Sequence, residues 1–273
     1  MCLKDEAWQF RETAGVNVFR RRPFLWNCRS VWFAILLMAG CGVNTPQPAT
    51  IIHIDNWHWV PKPYFVADLK ETDPTLTDDE IDERYAQHLN DVEELQRQQV
   101  ELVRDLCKTH GLKNIFYEGV TDENLDACYQ SNARVKRLDT LQAEIDALGN
   151  DPEADSIRNK LESLRAELRE ESLQLGAIGH LIRSGEIADF LPLEDAGRLT
   201  DADPLRPDGK LRSNPAAEKA REDAMAKRLL ATGPVAIVVL GGDHDLEDNL
   251  KKFLPSVQYQ KVQAAKYREL ATQ

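Results

Sequence analysis

Four short clusters of imidazole and carboxylate residues punctuate this chain: His53/Asp55/His58, Glu118 with Gly119, Glu194-Asp195, and Asp243-His244-Asp245 after Gly241-Gly242. Brought to one place, such groups can hold a divalent metal or serve as acid and base towards a substrate. Glu118, His244 and Glu194 are the candidate catalytic side chains, and His53, His58 and Asp55 the candidate metal ligands. Gly241-Gly242 allows a tight turn that presents His244 at a rim, where a histidine has little packing reason to stand. Structural explanations compete for the others. His53 suits a satisfied core histidine, and His58 between Trp57 and Trp59 suits a surface aromatic cluster. Glu118, Asp195 and Asp245 each stand where they could cap a following helix. His88, His110 and His180 fall on predicted helices and read as structural or solvated.

Each cluster trails an apolar run that reads as a strand. Ile51 to Asp55 is short and apolar, Asn114 to Val120 carries Glu118-Gly119 near its end, and Ile187 to Leu193 closes on Glu194-Asp195. Val235 to Leu240 is continuous and apolar, as in a strand buried on both faces. Helical patterns separate the runs. Thr77-Asp78-Asp79-Glu80 opens a helix with a capping box, apolar residues keep helical spacing to about His110, and Gly111 ends it. Residues 64–76 read as loop or a short helix, Ala217 to Thr232 as a helix, and the chain beyond Leu246 as a C-terminal helix. Strands alternating with helices predict an α/β domain with a largely parallel sheet flanked by helices. In such sheets ligands bind beyond the carboxyl ends of the strands, so all four clusters are expected at one rim.

The pattern changes from Val135 to Leu175. Leu138, Leu141, Ile145 and Leu148, then Ile157, Leu161, Leu164 and Leu168, keep heptad-like spacing on either side of Gly149-Asn150-Asp151-Pro152. This predicts an inserted, charged antiparallel helical hairpin at about 135–175, a protruding arm through which a protein partner could dock.

Three segments resemble the superfamily that groups TraB, the ChaN haem-associated lipoproteins, erythromycin esterase and the Tiki proteases. Asn114-Ile115-Phe116-Tyr117-Glu118-Gly119 is similar to its strand followed by Glu-Gly. Val235 to His244 is similar to its C-terminal strand followed by Gly-x-x-His. Ile51 to His58 stands where the family has Gly-Glu-x-His; the family glutamate is absent here, which leaves open whether Asp55 replaces it. The resemblance implies a hydrolase site of His53 or His58, Glu118 and His244, with Glu194 or Asp195 nearby, either metal-dependent or acting through a His–Glu pair. Its ChaN branch implies the alternative of a haem or small-ligand binding protein, with Trp57, Trp59, Tyr64 and Phe65 as an apolar wall and His58 as axial ligand. A third reading is a non-catalytic envelope interaction protein. No Gly-x-Ser-x-Gly elbow and no Cys-x-x-Cys-His are present, against an ordinary α/β serine hydrolase and covalent haem.

Residues 29–42 carry a second likeness. Arg20, Arg21, Arg22 and Arg29 precede the apolar run Val31 to Met38, and Ala39-Gly40 leads into Cys41. The run is about half the length that spans a bilayer, and so reads as a secretory signal. Its ending resembles the lipobox of bacterial lipoproteins, which implies cleavage before Cys41, acylation of that cysteine and stable anchoring by two or three chains. The expected organisation is a signal peptide over 1–40, a tether over 41–50 and one α/β domain with its insertion over 51–273. The expected place is the bacterial cell envelope, held to the membrane by lipid, with Gly42 favouring the outer membrane facing the periplasm. Lys4, Asp5, Glu6 and Glu12 make the start of the leader unlike a signal peptide, as an upstream start codon would.

The formal net charge is −12, and residues 1–40 hold six Lys or Arg against three acids, so the remainder is more acidic still. Such a surface repels phosphate backbones and argues against nucleic-acid binding. Beyond the leader and Cys41 only Cys107 and Cys128 remain; export permits a disulfide between them, and two free thiols are the alternative.

Overall fold

The computed structural model describes residues 49–149, 152–204, 210 and 212–272. The expected leader, Cys41 and most of the tether therefore lie outside the described residues. Pro48–Gln273 form one compact unit.

In chain order the elements are β1 (Thr50–Asn56), α1 (Lys62–Thr72), α2 (Asp78–His110), β2 (Asn114–Thr121), α3 (Leu125–Leu148) and α4 (Pro152–Arg183). β3 (Asp189–Glu194), α5 (Ala196–Ala202), α6 (Pro215–Ala231), β4 (Val235–Gly241), α7 (Glu247–Phe253), β5 (Gln258–Val262) and α8 (Ala265–Leu270) follow. The five strands form one all-parallel sheet in the order β3-β2-β4-β1-β5. This is the α/β class expected from the alternation of strands and helices. After β2 the chain leaves towards β3, and after its neighbour β4 it leaves towards β5 on the opposite side. Their carboxyl ends thus mark a switch point, where diverging connections leave a crevice between them.

Side-chain alternation along the strands builds a core on each face of the sheet. Ile52, Ile54, Ile115, Tyr117, Ile237 and Val239 pack with Val100 and Val103 of α2 and Ile178 and Leu181 of α4. Ile51, Phe116, Val238 and Leu240 pack with Met225, Ala226 and Leu229 of α6 and Leu246 and Leu250 around α7. β4 is therefore buried on both faces. Glu118 falls in register with Phe116, on the face that α6 covers.

α2 opens with the capping box of Thr77 and Glu80 and closes at Gly111, whose backbone is left-handed (φ 66°). α3 and α4 form the expected hairpin. Arg165 reaches Gln142 near the tip and Arg134 reaches Glu171 nearer the sheet, so the helices run antiparallel. Leu141, Ile145 and Leu161 make the buried seam. α4 breaks at Gly176, where Tyr117 lodges its hydroxyl against the Gln174 carbonyl oxygen.

Two elements differ from the sequence reading, and a third, β3, is the expected strand in spite of its proline. α1 begins immediately after Pro61, because Pro63 sits in its first turn, where no backbone N–H is needed. β3 contains Pro192 and tolerates it because β3 is an edge strand. The expected C-terminal helix is α7, β5 and α8. β5 shows no long apolar run because it too lies at an edge, and most of its residues are exposed.

Candidate active site

Glu118 is the hub where the strand ends meet. The β2–β3 ladder slips between Tyr117 and Thr121, and Gly119 adopts a positive φ of 78°. This irregularity turns the backbone beside Glu118, as bulges next to functional sites do. Two donors reach each carboxylate oxygen. The Gly241 N–H donates to Oε2 at 2.6 Å, and His58 Nε2 lies 2.9 Å from the same oxygen. Arg221 Nη2 donates to Oε1 at 2.8 Å, and His244 Nε2 stands 3.5 Å from it. Gly241 must lack a side chain, since a Cβ there would lie 2.5 Å from His58 Nε2.

Arg221 ties Glu118 to the next strand end. Its Nη2 donates to Glu194 Oε1 at 2.5 Å and its Nε to Oε2 at 3.1 Å, a two-pronged contact with a fully buried carboxylate. The neighbouring residue on α6, Glu222, accepts from or pairs with His244 Nδ1 at 2.9 Å. His58, Glu118, Glu194 and His244, named from four separate segments, are thus brought together. Their shared rim is the carboxyl edge of the sheet.

The electrostatics divide the cluster by charge. Burial opposes charging His244, but the hydrogen bond and charge of Glu118, with the bond to Glu222, outweigh it and raise its pKa to about 9. His58 is raised in the same way: desolvation lowers it and the Glu118 carboxylate more than offsets this. Burial would raise Glu118, yet His58, His244 and Arg221 hold it well below the usual carboxylate range. Burial wins at Glu194, whose pKa is raised despite Arg221. Solvent reaches the cluster at His58, whose side chain is 42% exposed, and less at His244, at 20%.

His53 and Asp55 belong elsewhere. Both are fully buried, between β4 and β5. His53 Nδ1 is 2.6 Å from the Tyr259 hydroxyl and its Nε2 is 3.0 Å from the Leu240 carbonyl oxygen. Asp55 Oδ2 accepts from Gln263 at 2.7 Å, and Oδ1 lies 3.2 Å from Lys261 Nζ and 3.3 Å from His53 Nε2. His53 is therefore a satisfied core histidine. Its pKa is lowered, chiefly by burial.

The remaining candidates are placed plainly. Asp195 caps α5 by accepting from the Arg198 N–H, and Asp245 accepts from the Glu247 N–H. Gly242 lies under the Tyr267 hydroxyl. Cys107 and Cys128 are free thiols packed in or against one core, and burial pushes each up to about 11, far from nucleophilic.

The donor set around Glu118 does not fit a metal ion. Both carboxylate oxygens already accept two donors each, and one donor is a guanidinium. Among the described residues no group of three or more His, Cys, Asp or Glu side chains is arranged to hold a metal. Nor do the four aromatics form one wall for haem. Trp59 and Phe65 pack against Tyr85 and Leu89 of α2, Trp57 meets Tyr267 edge-on, and Tyr64 bonds Asp203. His58 has both nitrogens engaged, on Glu118 and on Asn56.

Arg221, Glu222 and Asn56 were not among the residues singled out from the sequence. A signal for the first two exists. Arg221 and Glu222 lie four residues before the buried Met225 and Ala226, so a charged pair occupies the top of the buried stripe of α6. No family model, curated protein or solved structure matches this chain.

Proposed function

We propose that this protein is a lipid-anchored envelope lipoprotein whose α/β domain hydrolyses its substrate through a His–Glu site, as its resemblance to the TraB, ChaN, Tiki and erythromycin-esterase superfamily implies. The observation that carries the hydrolytic reading is the convergence of His58, His244, Arg221 and the Gly241 N–H on one carboxylate, Glu118, at the switch point of a parallel sheet.

Each side chain then has a role. His58, the most exposed member, takes a proton from a water molecule as the water oxygen attacks the substrate carbonyl carbon, and later returns that proton to the leaving group. Glu118 orients His58 and stabilises the imidazolium that forms. His244, charged at neutral pH because its pKa is about 9, stabilises the negative oxygen of the tetrahedral intermediate. Arg221 positions Glu118 and Glu194 without touching substrate. Acyl chains on Cys41 hold the domain at the membrane, and in a two-membrane bacterium Gly42 directs it to the outer membrane, facing the periplasm.

Two measurements on the full chain test this. Turnover of a panel of carboxylic esters, thioesters and amides is expected for one class at least, and His244→Ala is expected to lower it about 100-fold. A panel without turnover, or an unaffected variant, contradicts the hydrolytic reading. Radiolabelled palmitate should enter the bacterially expressed protein and be absent from Cys41→Ser, which should leave the membrane fraction; equal labelling of both contradicts the anchor.

A further inference from the structure

Gln99 is a buried amide in the middle of α2, 1% exposed and in line with Leu95 and Val103, where an apolar residue would pack more simply. Buried amides keep their polar atoms bonded, and the direction of each bond can be worked out from its partner. Gln99 Nε2 lies 3.1 Å from the main-chain carbonyl oxygen of Asp55 and 3.1 Å from Asn56 Oδ1. A carbonyl oxygen only accepts, so the Gln99 atom facing it is the NH2 group. The second hydrogen of that group goes to Asn56, which makes the Asn56 atom facing it the oxygen. The other end of the Asn56 amide, the donor Nδ2, is then left 3.3 Å from His58 Nδ1. On the far side of the ring, Nε2 faces the acceptor Glu118 Oε2 at 2.9 Å.

We infer that Asn56, oriented by Gln99, is a positioning residue that holds neutral His58 with its hydrogen on Nε2 and so makes Nδ1 the atom that accepts the proton. This rests on the hydrolytic reading for its purpose, though not for its geometry. The two ends of the ring agree on one tautomer, since a donor faces Nδ1 and an acceptor faces Nε2. The Nδ1 contact is also the longer, so an incoming water can displace Asn56 while the Glu118 bond remains. Three other charged groups act on His58: Glu118 from β2, His244 from the turn after β4 and Arg221 from α6. Asn56 is the one described residue bonded to Nδ1.

The ring nitrogens of His58 report the tautomer directly in long-range proton–nitrogen NMR spectra of the ¹⁵N-labelled full chain, recorded above the titration of His58 and assigned by loss of the signals in His58→Gln. The wild type is expected to show a protonated Nε2 and a bare Nδ1. Asn56→Asp places a carboxylate oxygen at Nδ1 and is expected to protonate it, so that the signal of a bare Nδ1 is lost. Gln99→Leu frees the Asn56 amide to turn over and is expected to give a mixture of tautomers. It decides the matter alone if Asn56→Asp does not fold. A wild-type ring protonated on Nδ1, or a folded variant whose Nδ1 signal is unchanged, overturns the inference. No turnover is read here, so this result stands apart from that of the ester and amide panel.

Discussion

The cluster around Glu118 and the cluster around His53 are built from the same materials, a histidine and a carboxylate at the carboxyl end of β1 or its neighbours, with a cation alongside. They differ in what surrounds them. His53 and Asp55 are sealed, and both nitrogens of His53 are spent on Tyr259 and on a main-chain oxygen. His58 and His244 keep 42% and 20% exposure and share one carboxylate, which raises the pKa of each. Burial dominates in the first cluster and depresses the histidine; the nearby carboxylate dominates in the second and raises it. Residue types at a strand end therefore do not separate site from core. Exposure does, together with a carboxylate close enough to outweigh burial.

Substitutions can break this contrast. The largest expected effect is on folding: Arg221→Ala leaves the buried Glu194 carboxylate without its cation and should cost about 3–5 kcal/mol by urea denaturation. A loss below about 1 kcal/mol would mean that Glu194 is carried neutral. His53→Phe should cost about 1–3 kcal/mol, since the Leu240 carbonyl loses its side-chain contact and the Tyr259 hydroxyl keeps only the Leu246 N–H. Turnover should be unchanged in that variant; a fall in kcat without a loss of stability would move His53 into the site.

The smallest effect sharpens the comparison through pH. His244 has a folded pKa of about 9 against an ordinary value of 6.5, so its stabilisation is full below about 6.5 and is lost as pH rises through 9. His58, also raised, adds to that alkaline loss. His53 is lowered, so its contribution is present above 6.5 and is lost as pH falls below it. Thermal unfolding across this range should show a maximum near pH 6.5, with His244→Gln shallower on the alkaline side and His53→Phe shallower on the acid side. Identical profiles for the two variants would remove the distinction between the clusters.

Much of this arrangement is legible in the chain itself. The alternation of apolar runs with helical spacing is enough for a parallel α/β sheet, and the heptads around Gly149 for the hairpin, because both are local patterns. Glu118 and His244 stand out because each stands near the carboxyl end of a strand, within two residues of a glycine. β5 is not legible: Gln258–Val262 carries little apolar signal, and its strand geometry comes from pairing with β1 across the sheet. Asn56 and Gln99 are hidden for a related reason. They meet across 43 residues, and neither spacing nor composition records which buried amide faces which. Arg221 could have been found by asking why a charge continues a buried helical stripe.

The central claim is that Glu118 organises a hydrolytic site, and its most direct test is the turnover of Glu118→Gln beside wild type on the substrate class that the ester and amide panel identifies. An amide in place of the carboxylate keeps the shape of the side chain but cannot stabilise imidazolium at 58. The account predicts a fall in kcat of about 10²–10³-fold with the circular dichroism spectrum retained. A folded Glu118→Gln protein that turns over at the wild-type rate would contradict it.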